Sequence, residues 1–383
     1  MSRIDWVIAN CRLLAAIGDE LEESQPFAGL TIGTGIHLEP KTVALLLTLR
    51  RGGADVVSTG NLATTQQDAI DYLSSRGVRV VGRPTQDATE HDGYLWEVVR
   101  SEPQLLLDNG GDLFARFIEE PYDGLLGGTE ETTSGRARLA PLRDRLGLPV
   151  LVINDSPIKQ FAENRHAVGQ SVLESFIRIT NKATNGKRVT VFGYGACGKG
   201  VAASFRNAYS IVSVVERDAV ARLEAMLDGY LVPEREDALR DADIVVTVTG
   251  AQDVVTAADL PALKDGAILA NAGHIPWEID LAGLSAAAKV ESDEGITTLR
   301  LGDGRRLHVL ADGHMVNLAG PRPLGNSIES MDIGFALQIR CLESVARGEV
   351  GAESCIVPVP RRIDEAVAAG FVGLGSARDA EVS

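Results

Sequence analysis

Short apolar runs recur along this chain, each closing on small or polar residues, and stretches of helical period lie between them. GLTIGTG (29–35), DVVSTG (55–60), RVVGR (79–83), PQLLLDNGGD (103–112) and LPVLVINDS (148–156) predict strands. EPKTVALLLTLRRGGA (39–54) and TTQQDAIDYLSSRGV (64–78) predict helices, the first ending on a glycine pair that suits a C-cap. QFAENRHAVGQSVLESFIRITN (160–181) predicts one long helix. A second series opens at KRVTVFGYG (187–195) and continues through AYSIVSVVER, DADIVVTVTG, DGAILANAGH and RLHVLADG, before a last helix at 326–348. Strand and helix in alternation predict parallel sheets covered by helices, with ligands at the carboxyl ends of the strands. No repeat of solenoid period and no low-complexity segment interrupts the pattern.

Composition narrows this picture. The chain has 383 residues, 45% hydrophobic and 23% charged, enough for two domains. No apolar run approaches the roughly 18 residues of a membrane span. The stretch MSRIDWVIANCRLL has an acidic residue near its start and no small-residue cleavage pattern, so no secretion signal and a cytoplasmic location are expected. Cys11, Cys197, Cys341 and Cys355 lack metal-ligand spacing and read as free thiols, with no metal expected. A net charge of −16 would repel a phosphate backbone, which argues against nucleic acid as a partner.

Candidate chemistry first appears at Gly193, Gly195 and Gly198, a G-x-G-x-x-G directly after an apolar run. The first glycine permits the turn, the second lets backbone approach a pyrophosphate, and the third lets helix pack on strand. The helix start then offers N–H groups and a partial positive charge to the phosphates. Glu216 closes the next strand, where a carboxylate accepts from a ribose diol and disfavours a 2′-phosphate. NAD is therefore expected rather than NADP.

The stretches STGNLATTQQD, GYLW, LLLDNGGDL, TEETTSG, INDSPIK, GYGACGKG, VTVTGAQDVV, KDGAILANAGH, WEIDL and LADGHMVNLAG occur in an order and spacing similar to those of the S-adenosylhomocysteine hydrolase family. The resemblance covers most of the chain. It implies an α/β fold in which a Rossmann-type NAD domain, 157–324, is inserted into a split substrate domain, 1–156 plus 325–383. It also implies an assembly of two or four copies. The family's chemistry uses tightly bound NAD to oxidise a nucleoside 3′-hydroxyl; the ketone acidifies the 4′ C–H, and the 5′-substituent is eliminated. Water then adds and the ketone is reduced again.

Residue by residue, the resemblance makes Lys159 the group that assists removal of the 3′-hydroxyl proton and Glu131 a ribose-binding carboxylate. Thr132, Thr133 and Ser134 become contacts on the nicotinamide side, and Asn164 and Asn317 contacts near its carboxamide. Thr249 and Asn271 are expected as further cofactor contacts. His37 and His274 match histidines near the 5′ side, suited to moving protons. His91, His166, His308 and His314 read as ordinary polar groups.

The departures fall on substrate chemistry. Asn109 stands where the family has the second of two aspartates, and an amide cannot titrate. Glu163 replaces an aspartate after the lysine. Glu39 and Lys41 replace small polar and acidic residues beside His37. Leu324, or Asn326 under a shifted alignment, replaces a gating histidine, and Ala221 replaces an asparagine. The tail GFVGLGSARDAEVS lacks the family's lysine and tyrosine. The pattern predicts oxidation and elimination on an adenosine-like nucleoside with an altered leaving group. One example is dehydration in making an exocyclic-alkene nucleoside antibiotic, with His37, His274 or Glu39 as proton donor. The alternatives are S-adenosylhomocysteine hydrolysis, an NAD-binding regulator without catalysis, and a 2-hydroxyacid dehydrogenase. For the last, no Arg–His–carboxylate set can be assembled.

Overall fold

The computed structural model describes residues 1–381, which form two compact units, Met1–Gln160 with Ile328 onward, and Phe161–Ser327. The limits expected from sequence were 156 and 325. Strands β1 (Thr31–Gly35), β2 (Asp55–Thr59), β3 (Arg79–Val80), β4 (Leu105–Asp108), β5 (Gly127–Glu130) and β6 (Val150–Val152) belong to the first unit. The second unit holds β7 (Arg188–Phe192), β8 (Ile211–Val215), β9 (Ile244–Thr247), β10 (Ile268–Asn271), β11 (Ala288–Asp293), β12 (Ile296–Leu301) and β13 (Arg306–Leu310). The chain then returns to the first unit with β14 (Cys355–Pro358).

The first sheet runs β14-β6-β5-β4-β1-β2-β3, all parallel. Its central strands are covered on both faces, which is why β4 reads as an unbroken apolar run with every residue buried. From β1 the chain builds outward through β2 and β3, then crosses to the other side of β1 to lay down β4. The order reverses between β1 and β4, and a crevice opens there at the carboxyl ends. The helix Pro40–Arg51 leaves β1 with proline in its first turn, where the missing N–H costs nothing, and buries Val43, Leu45, Leu46 and Leu49.

The second sheet runs β11-β12-β13-β10-β9-β7-β8. Its order reverses between β7 and β9, and the glycine loop follows β7. Several features depart from the pattern expected of the chain. In the first unit, β5, β14 and the helix Arg361–Glu381, beyond the helix expected last, were not foreseen, and two more lie in or next to the second unit. β11 and β12 form an antiparallel hairpin on the sheet's edge, joined through Glu294 and Gly295, both at positive φ. The helix expected over 160–181 is two pieces: a π-helical segment Lys159–Ala167, then an α-helix Val168–Thr180.

Candidate functional site

Within the first unit, four candidate residues sit at the carboxyl ends of adjacent strands. His37 follows β1, Asn109 follows β4, Glu131 follows β5, and Lys159 follows β6 after the turn Ile153–Asp155. Lys159 Nζ donates to Glu131 Oε1 at 2.8 Å, and Asn109 Nδ2 donates to Glu131 Oε2 at 2.9 Å. All three are buried. Asn109 Oδ1 in turn accepts from Asn61 Nδ2 at 3.1 Å, which fixes the amide with its donor toward Glu131. Burial alone would push the Glu131 carboxyl up. The Lys159 charge, the hydrogen bonds from Lys159 and Asn109, and nearby His37 outweigh it and hold the group below its ordinary value.

His37 Nδ1 lies 2.7 Å from Thr64 Oγ1, and that hydroxyl reaches the Asn61 carbonyl at 3.3 Å. With the hydroxyl donating to the carbonyl, the His37 Nδ1–H donates to Thr64, which fixes the orientation of the ring. Asn61 and Thr64 were not singled out from sequence, although both lie in the quoted stretch STGNLATTQQD.

Two further carboxylates hold these loops from beneath. Asp108 and Glu130 are register partners on β4 and β5, both fully buried. Asp108 accepts from the N–H groups of Asn109, Asp112, Leu113 and Phe114, capping the helix Asp112–Glu119. Glu130 accepts from Gly110, Gly111 and both donors of Thr132. Burial pushes Asp108 up to about 6 and Glu130 well above the carboxylate range, each raised further by a neighbouring acid. A side chain at Gly135 would strike the Glu130 carboxylate, its Cβ falling 2.2 Å from the carboxyl carbon. Thr132 caps the helix Thr133–Leu139, accepting from Gly135 N–H at 2.9 Å, with Ser134 Oγ 3.1 Å from its hydroxyl. Thr133 is exposed. Glu39 and Lys41 form a buried ion pair of 2.7 Å at the start of the helix Pro40–Arg51.

In the second unit, Gly193 takes φ +102°, and its Cβ position lies 2.7 Å from the Val248 carbonyl at the end of β9. A Cβ on Gly198 would come within 2.1 Å of the Gly193 carbonyl, so helix and loop touch there. Gly195 differs: a Cβ on it would meet nothing within 4 Å. It precedes the helix Ala196–Asn207 and provides no side-chain cap. Glu216 directly follows β8, with Oε2 accepting from Tyr194 N–H at 2.7 Å and Oε1 from Arg217 and Asp218 N–H. A carboxylate has lone pairs beyond these three bonds.

Asn317 is buried, donates to Ser171 Oγ at 3.0 Å, and its Oδ1 has no hydrogen-bond partner. A buried acceptor left open suits the amide donor of a nicotinamide carboxamide. Open space over Gly195, the uncapped helix start, Glu216 and Asn317 thus fit a bound dinucleotide. Asn326 Oδ1 accepts from Ser171 at 2.9 Å and from Asn317 at 3.4 Å, and its Nδ2 lies 3.5 Å from Glu163 Oε1. Glu163 is buried, Asn164 half-buried on the same π-helical segment, and His274 half-buried in the loop after β10.

Two expected cofactor contacts are committed inside the protein. Asn271 uses both ends of its amide: Oδ1 accepts from Thr247 and Gly273, and Nδ2 donates to Ile275 and Gly313. Its side chain braces the loop after β10. Thr249 gives its N–H and hydroxyl to Glu278 Oε2, both at 2.9 Å, while Gly250 N–H takes Oε1. Glu278, in the WEIDL stretch, was not singled out; it ties the loop after β9 much as Glu130 ties the loops of the first unit.

Comparison with known proteins settles the family. Residues 4–123 match the S-adenosyl-L-homocysteine hydrolase family model, and residues 164–322 match its NAD-binding domain model. An adenosylhomocysteinase of Thermotoga maritima is 38% identical over 374 residues, covering 96% of this chain and 92% of that protein. The chain belongs to the S-adenosyl-L-homocysteine hydrolase family. It is an enzyme of that type, and its second unit is the family's NAD-binding domain. An S-inosyl-L-homocysteine hydrolase of Methanopyrus kandleri is 37% identical over 95% of this chain and 88% of that protein. An oxidoreductase structure from Ralstonia solanacearum, described as a D-3-phosphoglycerate dehydrogenase, aligns over 86% of this chain and 99% of that one with TM-score 0.51 and 17% identity, a likeness of fold alone. Among the described residues no helix is long and apolar enough to cross a membrane, and no cluster could hold a metal ion.

Proposed function

We propose that this enzyme oxidises the 3′-hydroxyl of an adenosine-like nucleoside, eliminates a 5′-side substituent other than homocysteine, and reduces the sugar again. The observation that carries the reading is the neutral amide at Asn109, donating to Glu131 Oε2 at 2.9 Å while Lys159 holds the other oxygen.

NAD, when bound, supplies reversible hydride acceptance at the sugar's 3′-carbon. The protein's own groups manage protons. Lys159 acts on the 3′-hydroxyl from its neutral amine form, reached when the ammonium paired with Glu131 has given up a proton; taking the hydroxyl proton restores the ammonium, which the Glu131 anion stabilises. Asn109 keeps the second carboxylate oxygen aimed at its own amide and contributes no acid or base. Proton movement at C4′ and at the leaving group then falls to His37, steered by Thr64, with His274 and Glu39 as further candidates. The balance is the loss of HX: a proton from C4′ and the substituent from the neighbouring carbon, the ketone being made and unmade within one turnover. For X = OH the reaction is a dehydration. A captive cofactor requires no net oxidant. Small molecules of this class enter a crevice at strand ends, and we take the working state to be a homo-oligomer in the cytoplasm.

The second reading is hydrolysis of S-adenosylhomocysteine or its inosine counterpart, favoured by the names of the relatives. Incubation of the holoenzyme with S-adenosylhomocysteine and titration of released thiol separates the two. The proposal expects thiol release no faster than the uncatalysed control; multiple turnovers would overturn it.

A further inference from the structure

We infer that Asp364 is a positioning residue for Lys159, acting through the Ser156 hydroxyl. The inference rests on the role given to Lys159 above. Ser156 is fully buried and its Oγ donates to Asp364 Oδ1 at 2.5 Å. The same oxygen accepts from Ile158 N–H at 3.1 Å and Lys159 N–H at 3.4 Å, and the Ser156 carbonyl accepts from Gln160 N–H at 3.1 Å. Ser156 therefore caps the turn that starts the π-helical segment Lys159–Ala167.

A hydroxyl has one proton and can rotate. Asp364 accepts the hydrogen bond from that hydroxyl, so the lone pairs of Ser156 Oγ are turned toward the two N–H groups. Without an acceptor in this place, the hydroxyl is free to rotate and to donate elsewhere, and the first turn of the segment loses its cap. The backbone at Lys159 sets the direction of a long side chain whose Nζ has to reach Glu131 at 2.8 Å. Small changes at the start of such a chain become large ones at its end.

The carboxylate comes from far along the sequence. Asp364 lies 208 residues beyond Ser156, in the first turn of the helix Arg361–Glu381. That helix is anchored by buried Ile363 and Val367. Burial raises the Asp364 carboxyl and the Ser156 hydrogen bond lowers it, with the net effect upward. The last helix of the chain thereby takes part in aligning the lysine, without touching substrate.

Competitive acetylation of the holoenzyme with acetic anhydride, read at each lysine by mass spectrometry, tests this without a substrate. Lys41, buried to the same degree in the same unit, is the internal reference. Asp364→Ala should raise Lys159 labelling relative to Lys41 about fivefold, the scale of losing a helix cap. Ser156→Ala should do the same, and Asp364→Asn, whose carbonyl oxygen still accepts, should return toward wild type. An unchanged ratio in both alanine variants overturns the inference, as does a rise at both lysines together, which marks general loosening. A second readout uses adenosine as the probe nucleoside. Asp364→Ala should slow reduced-nicotinamide formation about fivefold with KM unchanged. If labelling responds as stated but wild type reduces no cofactor, the proposed chemistry fails while the positioning stands.

Discussion

Lys159 Nζ and Glu131 Oε1 lie 2.8 Å apart, and both side chains are buried, at 4% and 7% exposure. Removing one partner of such a pair strands the other charge in the interior. Lys159→Ala should keep NAD yet give no transient absorbance at about 340 nm with nucleoside. It should also lose about 3 kcal/mol of stability in urea unfolding at neutral pH, with Lys159→Met/Glu131→Gln recovering most of it. Normal cofactor reduction by Lys159→Ala would remove the lysine from the mechanism.

The Glu39–Lys41 pair, 2.7 Å apart and buried on both sides, obeys the same rule. Glu39→Gln or Lys41→Met alone should cost about 3 kcal/mol, and the double variant much less. A double-mutant cycle by urea unfolding checks it; additive losses would mean that the two charges do not depend on each other.

Asp332 links stability to pH. Burial pushes its carboxyl from 3.8 to about 6, against hydrogen bonds from Leu13 and Leu14 N–H. The folded chain therefore binds this proton more tightly than the unfolded chain. Its contribution is intact below the unfolded value and declines as pH rises to about 6, by about 3 kcal/mol in all. Relative to Asp332→Asn, wild type should lose stability between about pH 4 and 6 and then level off. A difference that is flat with pH, or that grows in the other direction, contradicts this.

Two glycines of one loop should respond differently. Gly195 has φ −69° and open space where a Cβ would stand, so Gly195→Val should leave the apo fold intact and fill the place a pyrophosphate needs. Gly198→Ala would drive a Cβ to 2.1 Å from the Gly193 carbonyl and should disturb the loop itself. Nicotinamide content per chain, with near-ultraviolet circular dichroism of the apo forms, distinguishes them. Equal cofactor content in Gly195→Val and wild type would remove the glycine loop from the binding site.

Much of this arrangement is legible in the sequence because strand ends carry it. Apolar runs closing on Asp108–Asn109 and Gly193 announce where a parallel sheet presents its ligand-facing loops, whereas β5, GGTE before Glu131, has no apolar run and is reached only through the family resemblance. The parts that escaped have physical reasons. A π-helical winding leaves no period of its own, so the segment Lys159–Ala167 reads as ordinary helix, although such windings favour functional sites. The hairpin β11–β12 hides because its outer strand is largely exposed and lacks an apolar run. Asn271 and Thr249 stand in motifs with the right chemistry, yet their hydrogen bonds are spent on Gly273, Ile275, Gly313 and Glu278. Which polar residue faces a ligand and which braces a loop depends on partners far away in sequence. Ser156 with Asp364, 208 residues apart, is the extreme case.

The central claim is a nicotinamide that stays with the protein while the sugar passes through a ketone. Rapid mixing of the purified holoenzyme with an adenosine-type nucleoside, followed at about 340 nm, tests it most directly. The account predicts absorbance that rises and then decays while total nicotinamide per chain, measured after denaturation, stays constant. A protein that carries and binds no nicotinamide, or one that releases reduced cofactor in step with product, would contradict it.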